Sequence, residues 1–251
     1  MIQIKNITKS FGDKIVLNNL SADFEVGKIN LIIGKSGSGK TMAIKCMLGL
    51  FNIESGSIFF DKRDFINIDK QEKKNIRKEI GMVFQGGALF DSMTIEQNVM
   101  FPMTMSQKMT LIQMKERVDF CLKRVDLKNV NNLFPSELSG GMQKRVAIAR
   151  AIALNPKYLF CDEPNSGLDP ATATVIDNLL KEITYEYNIT TVINTHDMNS
   201  VMEIGDNIVF IQDGEKIWTG NKNLFLKTQN KDLNNFIFSS KVFKKLKKAN
   251  Q

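Results

Sequence analysis

The chain has 251 residues, of which 43% are hydrophobic and 24% are charged, so it can bury a core and is neither disordered nor collagen-like. Its 34 lysines and arginines exceed its 27 acidic residues by seven (34 − 27 = 7), a modest excess that leaves nucleic acid and anionic lipid open as partners. A single histidine, His196, excludes a metal site built from several histidines.

Short apolar runs rich in Ile, Val and Phe alternate with longer amphipathic stretches, which predicts a largely parallel sheet interleaved with helices. The clearest predicted strands are residues 29–33, 57–60, 80–84, 158–161, 190–193 and 208–212. Residues 93–155 break this rhythm, because they are mostly helical in pattern, contain no convincing strand and are interrupted by Pro102 and Pro135. We therefore expect a helical subdomain inserted into an α/β core.

A glycine-rich loop follows the first of these strands. Residues 34–41 read GKSGSGKT and match GxxxxGK[ST], with a helical pattern directly after them. Glycines let the backbone approach phosphate oxygens, so we expect Lys40 to reach the β and γ phosphates of a nucleotide and the Thr41 hydroxyl to bind Mg²⁺. A turn that only caps a helix is the alternative. The predicted nucleotide-binding residues of the loop are Gly34, Lys35, Ser36, Gly37, Ser38, Gly39, Lys40, Thr41 and Met42.

Two carboxylates end the apolar stretch at residues 158–163, which reads YLFCDE. If this strand ends at the same sheet edge as the phosphate loop, Asp162 could hold Mg²⁺ opposite Thr41. Glu163 could then accept a proton from the water that attacks the γ-phosphate. A common strand-end turn before Pro164 explains this pair equally well when the pair is taken alone.

Residues 138–145 read LSGGMQKR and lie between the phosphate loop and the acidic pair. With these motifs the sequence resembles the nucleotide-binding subunits of ABC transporters over nearly its whole length. LSGGM resembles the signature loop of that family, normally LSGGQ, with Met142 in place of the glutamine. The resemblance implies an α/β fold with a P-loop NTPase (RecA-like) core, an antiparallel β subdomain and an inserted α-helical subdomain.

The resemblance also implies roles for isolated residues. Gln85 resembles the Q-loop glutamine and completes the predicted magnesium ligands with Thr41 and Asp162. His196, within NTHD, resembles the switch histidine that contacts the γ-phosphate, and Phe11 stands where the family places an aromatic ring that stacks on adenine. The residues expected to act in catalysis are Glu163, His196, Gln85 and Lys40. Taken alone, Gln85 would be an ordinary polar residue at a strand end.

The signature residues Ser139, Gly140 and Gly141 precede a helical pattern and would form a second anion-binding helix start. Because the phosphate loop of the same chain already serves one ATP, the resemblance implies that Ser139 acts on the ATP of a second copy. The expected assembly is a head-to-tail homodimer that encloses two ATP molecules. Asp169, in SGLD, resembles the D-loop aspartate of this nucleotide site and could also cap a helix that begins near Pro170.

We expect one ABC ATPase domain over residues 1–251. Its catalytic core would comprise about 1–92 and 156–228, its helical signature subdomain about 93–155, and a basic helix or tail about 229–251. In that last segment Leu233, Phe236, Ile237, Phe243 and Leu246 have near-helical spacing, beside Lys241, Lys244, Lys245, Lys247 and Lys248. The segment could clasp a neighbouring subunit or an accessory protein, or lie on anionic lipid. A frayed, solvated tail is an equal alternative.

Residues 84–103 (FQGGALFDSMTIEQNVMFPM) and 134–153 (FPSELSGGMQKRVAIARAIA) most resemble the ATPase of Mla/Mce-type phospholipid transporters. The expected function is ATP hydrolysis that drives a separate multi-span membrane permease, with an Mce-type or other accessory protein as a further partner. The alternatives are an importer or exporter of amino-acid or lipoprotein type, a soluble ABC ATPase acting on nucleic acid, and a scaffold subunit with degenerate sites. We expect no nucleic-acid partner, because the insertions or second ATPase domain usual in that class are missing.

Six methionines lie between residues 93 and 114, where this family receives a helix of the membrane subunit. They are Met93, Met100, Met103, Met105, Met109 and Met114. Flexible thioethers would suit a groove that repacks, although methionine also fills small cores. Cys46, Cys121 and Cys161 show no CxxC spacing, and the chain has neither a signal-peptide pattern nor 18 consecutive apolar residues. We expect a cytoplasmic protein held peripherally at the inner face of the membrane.

Overall fold

The computed structural model describes residues 1–105 and 109–238. The strands are β1 (Ile2–Phe11), β2 (Lys14–Phe24), β3 (Ile29–Ile33), β4 (Ser55–Phe60), β5 (Arg63–Asp64), β6 (Ile80–Val83), β7 (Tyr158–Asp162), β8 (Thr190–Thr195), β9 (Asn207–Gln212) and β10 (Glu215–Gly220). The helices are α1 (Lys40–Met47), α2 (Lys70–Lys78), α3 (Ile95–Thr104), α4 (Leu111–Arg124), α5 (Gly140–Ile152), α6 (Pro170–Glu186), α7 (Met198–Ile204), α8 (Lys222–Leu226) and α9 (Lys231–Ile237), with one 3₁₀ turn at Pro135–Glu137.

The chain divides into two compact units. The first unit contains Met1–Glu25, Ile29–Asn67 and the chain from Asn194 onward, and the second contains Val26–Lys28 and Ile68–Ile193. These limits differ from the subdomain limits expected from the sequence, which stay a prediction. No helix in residues 1–105 and 109–238 is both long and apolar enough to cross a bilayer.

The first unit contains an antiparallel sheet in the order β2-β1-β4-β5. Ile2 pairs with Phe24 on one side and Phe60 on the other, and all three side chains are fully buried. The pairing of β1 with β2 shifts register near Asn6 and Asn19, which both adopt left-handed backbone angles. These irregularities break the strict alternation of apolar and polar residues, which is why β1 and β2 were not predicted.

A second group of strands in the first unit has the order β10-β9-β3. β3 is buried throughout and runs parallel to β9, while β10 returns antiparallel to β9 through a turn at Asp213 and Gly214. Helix α9 buries Leu233, Phe236 and Ile237 in this unit, and the Phe236 ring stacks on Phe210 at 5.2 Å between centroids.

This packing corrects the expectation for the C-terminal segment. Its first apolar residues, 233, 236 and 237, are core residues of their own chain and are not presented to a partner. Phe243, Leu246 and the five lysines of the predicted basic tail lie outside the described residues.

The second unit contains strands in the order β8-β7-β6, with β8 included as far as Ile193 and β6 parallel to β7. Helices α3 and α4 begin at capping boxes, in which Thr94 pairs with Gln97 and Thr110 with Gln113. Both helices pack against α5. The predicted α/β fold with an antiparallel part and a helical segment is therefore confirmed, and each of the six predicted strands is present with ends within two residues.

Pro102 does not interrupt the helical segment as predicted, because α3 continues through it to Thr104. Proline cannot donate to the carbonyl of Asn98 and its ring crowds that carbonyl, so α3 continues through Pro102 at the cost of one helical hydrogen bond. Pro135, by contrast, lies in the short 3₁₀ turn before α5, outside the α-helices.

Candidate nucleotide site

The phosphate loop joins β3 to α1 in the first unit. Gly39 precedes α1 with φ +102°, an angle that residues other than glycine rarely adopt. It has no side chain that could cap the first turn of the helix. A Cβ at Gly39 would lie 2.9 Å from the Val16 carbonyl oxygen. A Cβ at Gly34 would overlap the carbonyl oxygen of Ile211. Both positions therefore require glycine, and the amides of this helix start stay open to an anion.

The loop buries two polar groups of the kind that a polyphosphate satisfies. Lys40 is 5% exposed, and its Nζ donates to the carbonyl oxygens of Gly34 at 2.9 Å and Lys35 at 3.0 Å. The buried Ser38 hydroxyl has no hydrogen-bond partner within residues 1–105 and 109–238. A buried hydroxyl without a partner is costly, and a phosphate oxygen would supply one. The loop thus fits the phosphates of a nucleoside triphosphate.

Thr41 is held by a residue that the sequence did not single out. Asn194 is fully buried at the carboxyl end of β8, and its Nδ2 donates to Thr41 Oγ1 at 3.2 Å. The signal was a polar residue at the end of an apolar strand, the same signal that pointed to Asp162. His196 is exposed directly after β8, and Asp197 next to it caps α7.

An exposed aromatic surface surrounds Phe11, which is 46% exposed. The edge of its ring system meets Phe51 at 5.6 Å between centroids, and Lys9 Nζ lies 5.0 Å from the Phe11 centroid. Lys9 is fixed by Glu54 at 2.6 Å, and this hydrogen bond holds the pKa of Glu54 below its usual value. The arrangement suits stacking of a flat base on an ordered ring.

In the second unit, Gln85 and Glu163 are in contact. Gln85 Nε2 donates to Glu163 Oε2 at 3.2 Å and reaches Ser166 Oγ at 3.5 Å. Asp162 ends β7 and is only 8% exposed, while Glu163 has a left-handed φ of +46°. The Ser166 amide also donates to the Glu163 carbonyl, so the simple strand-end turn is present as well.

The signature residues begin α5. Ser139 is its N-cap, and its Oγ accepts from the Met142 amide at 3.3 Å. A Cβ at Gly141 would lie 2.6 Å from Thr172 Cγ2 on α6, so this helix start packs closely on α6. Gly140 is exposed beside it.

Asp169 caps α6, as one of its two expected roles required. Its carboxylate accepts from the Thr172 amide at 3.0 Å and from the Thr172 hydroxyl. These hydrogen bonds hold the pKa of Asp169 below its usual value. Asp169 remains exposed, so its expected role at a nucleotide stays a prediction.

Two buried cations on α5 were missed by sequence reasoning. Lys144 Nζ donates to the main-chain carbonyl of Gln85, and Arg150 donates to the carbonyls of Gly87 at 2.7 Å and Ala88 at 2.8 Å. Arg150 lies within the apolar run VAIARAI, which was the signal available for it, whereas Lys144 stands between Gln143 and Arg145 and offered none. Together they hold the loop that follows β6.

An apolar groove of about 370 Å³ lies against that loop. Its lining includes Phe84, Phe90, Phe101, Pro102 and Leu154. Phe84 and Phe90 are each 41% exposed although both are large and apolar, and such an exposed patch is typical of an interaction site.

The six methionines between 93 and 114 do not form the groove. The groove lining contains Met82 and none of the six, and Met100 and Met103 are buried in the helical segment. The packing explanation therefore applies to these two. Met105, by contrast, is 68% exposed.

The predicted magnesium ligands belong to different compact units. Thr41 belongs to the first unit, and Gln85 and Asp162 belong to the second. Their joint action on Mg²⁺ stays a prediction, as do the roles of Glu163 and His196.

Known proteins resemble this chain closely. Residues 17–166 match the sequence profile of the family described as ABC transporter. The methionine import ATP-binding protein MetN of Clostridium tetani is 41% identical over 91% of this chain and 72% of MetN. The intermembrane phospholipid transport system ATP-binding protein MlaF of Haemophilus influenzae is 38% identical over 91% of this chain and 87% of MlaF. The dimeric ATP-binding cassette MJ0796, solved in a post-hydrolysis state with ADP and Pi, superposes with a TM-score of 0.80 at 33% identity, over 88% of this chain and 99% of MJ0796.

Proposed function

Because the chain belongs to the ABC transporter family and is an ATPase that uses ATP with Mg²⁺, we propose that it drives a separate membrane permease for phospholipid or another hydrophobic solute. The observation that carries the proposal is the phosphate loop, where Lys40 and the unsatisfied Ser38 hydroxyl are buried beside an uncapped helix start. A polyphosphate would supply an acceptor for the Ser38 hydroxyl and negative charge beside the Lys40 ammonium.

In the proposed mechanism the loop residues 34–41 hold the phosphates, with the Lys40 ammonium offsetting the charge that develops on the transferred group. Phe11 offers its ring to the adenine. When bound, Mg²⁺ would be held by Thr41, Gln85 and Asp162 and would neutralise charge on the β and γ oxygens.

Glu163 is the proposed base. It accepts the proton of the attacking water, and the hydrogen bond from Gln85 orients its carboxylate. His196 contacts the γ-phosphate. Catalysis on this scheme is mostly positioning and charge stabilisation.

We propose a head-to-tail homodimer in which Ser139, Gly140, Gly141 and Asp169 of one copy complete the ATP site of the other. Ser139 already caps α5, so its oxygen is fixed at a helix start where anions bind. Support comes from the dimeric state of the MJ0796 cassette.

The permease is proposed to dock in the groove beside the loop after β6, with a helix of its cytoplasmic surface against Phe84, Phe90 and Phe101. The groove is apolar and partly exposed, as a helix-binding site requires. This docking would hold the chain peripherally at the cytoplasmic face of the membrane. An Mce-type or other accessory protein is a further proposed partner.

A second candidate, import of an amino acid, is favoured by the 41% identity to MetN. Phospholipid transport is favoured by the likeness to MlaF and by the text GALF after Gln85 and PSELSGGM around Ser139. The two candidates predict different permeases.

Purification of the full complex from membranes separates them. Phospholipid retained in the detergent-purified complex, with ATPase activity stimulated by phospholipid and not by methionine, would support lipid transport. Stimulation by an amino acid with its binding protein would support import. A chain that purifies without any multi-span protein and shifts DNA or RNA at physiological salt would contradict both.

A further inference from the structure

Lys144 lies on the second turn of α5 and is only 7% exposed, although its side chain carries a charge. Burial lowers the pKa of its ammonium, while neighbouring negative groups, including Asp162 and Glu163, oppose that shift. A buried lysine is rare because desolvation of the ammonium is costly, and it needs a specific partner. That partner is the main-chain carbonyl of Gln85.

Gln85 contacts Lys144 with its backbone and Glu163 with its side chain. The carbonyl accepts from Lys144, and the side-chain Nε2 donates to Glu163 Oε2 at 3.2 Å. Two hydrogen bonds therefore lead from α5 to the carboxylate that is proposed to activate water. The φ of +46° at Glu163 shows that its backbone is held by its surroundings, since glutamate rarely adopts this angle unaided.

The same helix carries the signature residues at its start. Lys144 is five residues beyond Ser139, which at the helical rise places it about 7.5 Å further along the axis. Val146, Ala147 and Ile148 are fully buried, so the part of α5 directly after Lys144 is anchored in the core.

We propose that Lys144 is a positioning residue for ATP hydrolysis. It fixes Gln85 through its backbone, Gln85 orients Glu163, and α5 thereby links the signature residues that serve the partner's ATP to the base that serves the chain's own ATP. This inference rests on the proposed roles of Ser139 and Glu163. It adds Lys144, which has no part in either role.

The test compares Lys144→Met with Lys157→Met in the full-length protein. Lys157 is a matched control, because it is an exposed lysine of the same unit that lies 3.6 Å from Glu79. Loss of a contact that supports a metal ligand typically costs about 10- to 100-fold in activity, and Gln85 is a proposed magnesium ligand, so we expect kcat for ATP to fall by about that factor. The KM for ATP should change less than about twofold, since no group that touches ATP is removed.

Lys144→Arg and Lys144→Gln keep the test decisive if the methionine variant does not fold. Arg keeps a cation and donors for the Gln85 carbonyl and should recover most of the lost kcat, whereas Gln keeps only a neutral donor and should recover less. A folded Lys144→Met protein with kcat within about twofold of Lys157→Met would overturn the inference, as would a raised KM with unchanged kcat. If Lys144→Met fails to fold, equal kcat for the Gln, Arg and control variants would also overturn it.

The proposed function fails separately. If neither the unaltered protein nor Lys157→Met hydrolyses ATP with Mg²⁺, the proposed role of Glu163 fails and the inference falls with it. If both hydrolyse ATP and the Lys144 variants have the same kcat as Lys157→Met, the proposed function stands and the inference alone is wrong.

Discussion

Replacing Asn98 with alanine would remove a buried anchor beside the apolar groove. Asn98 is fully buried in the first turn of α3. Its Nδ2 lies 3.1 Å from the carbonyl oxygens of Phe90, Met93 and Thr94, and its Oδ1 accepts from the Phe90 amide at 2.8 Å. The side chain therefore holds the whole turn from residue 90 to residue 94.

The size of the effect follows from these contacts. An amide nitrogen has two hydrogens, so it can satisfy two of the three carbonyls fully, and the oxygen adds a third hydrogen bond. At about 1 kcal/mol each, the loss is about 3 kcal/mol. For a chain of this length each kcal/mol lowers Tm by roughly 2–4 °C, so we expect a drop of roughly 6–12 °C.

Thermal unfolding followed by circular dichroism measures this drop, with Asn132→Ala as the control. Asn132 is exposed, so its loss should change stability by less than about 0.5 kcal/mol. Because Phe90 lines the groove, Asn98→Ala should also retain less permease on purification. A Tm within about 2 °C of the control would refute the reasoning, since the four contacts would then contribute almost nothing.

Three further outcomes are expected. Glu163→Gln should still bind ATP but lose turnover and accumulate as a closed dimer, which size-exclusion chromatography with ATP detects; near-normal turnover would remove Glu163 from the role of base. Gly81→Ala should destabilise the protein by about 1–3 kcal/mol in urea unfolding, because its Cβ would overlap the carbonyl oxygen of Ala151; an unchanged midpoint would show that β6 and α5 can separate. Burial raises the pKa of Cys46 and Cys121 to about 11, so both thiols should resist iodoacetamide at pH 8 in the native protein and react once unfolded; rapid labelling of the native protein would contradict their burial.

The sequence predicted those parts of the molecule in which local pattern and tertiary packing agree. β3 and β7 are buried on both faces, so they are continuous apolar runs, and the phosphate loop has a spacing that chemistry imposes. The start of a helix after Ser139 and the cap at Asp169 were likewise visible from residue type and position.

Features that depend on contacts distant in sequence were not predicted. Asn194 and Lys144 matter through hydrogen bonds to Thr41 and Gln85, which lie 153 and 59 residues away. No local pattern distinguishes a buried amine that holds a loop from one that is solvated on a helix face. The amphipathic spacing of α9 was compatible with an external partner. In the structure its apolar side packs on its own chain, where Phe236 stacks on Phe210.

The backbone of Glu163 has a consequence for engineering this protein. A left-handed φ costs a glutamate about 1 kcal/mol relative to residues that accept it, such as glycine or asparagine. A library selected only for heat resistance would therefore gain by replacing the very carboxylate proposed to activate water. Thermostable variants of this chain therefore need to be selected for ATP turnover at the same time. At this position a substitution that raises stability would also remove the proposed base.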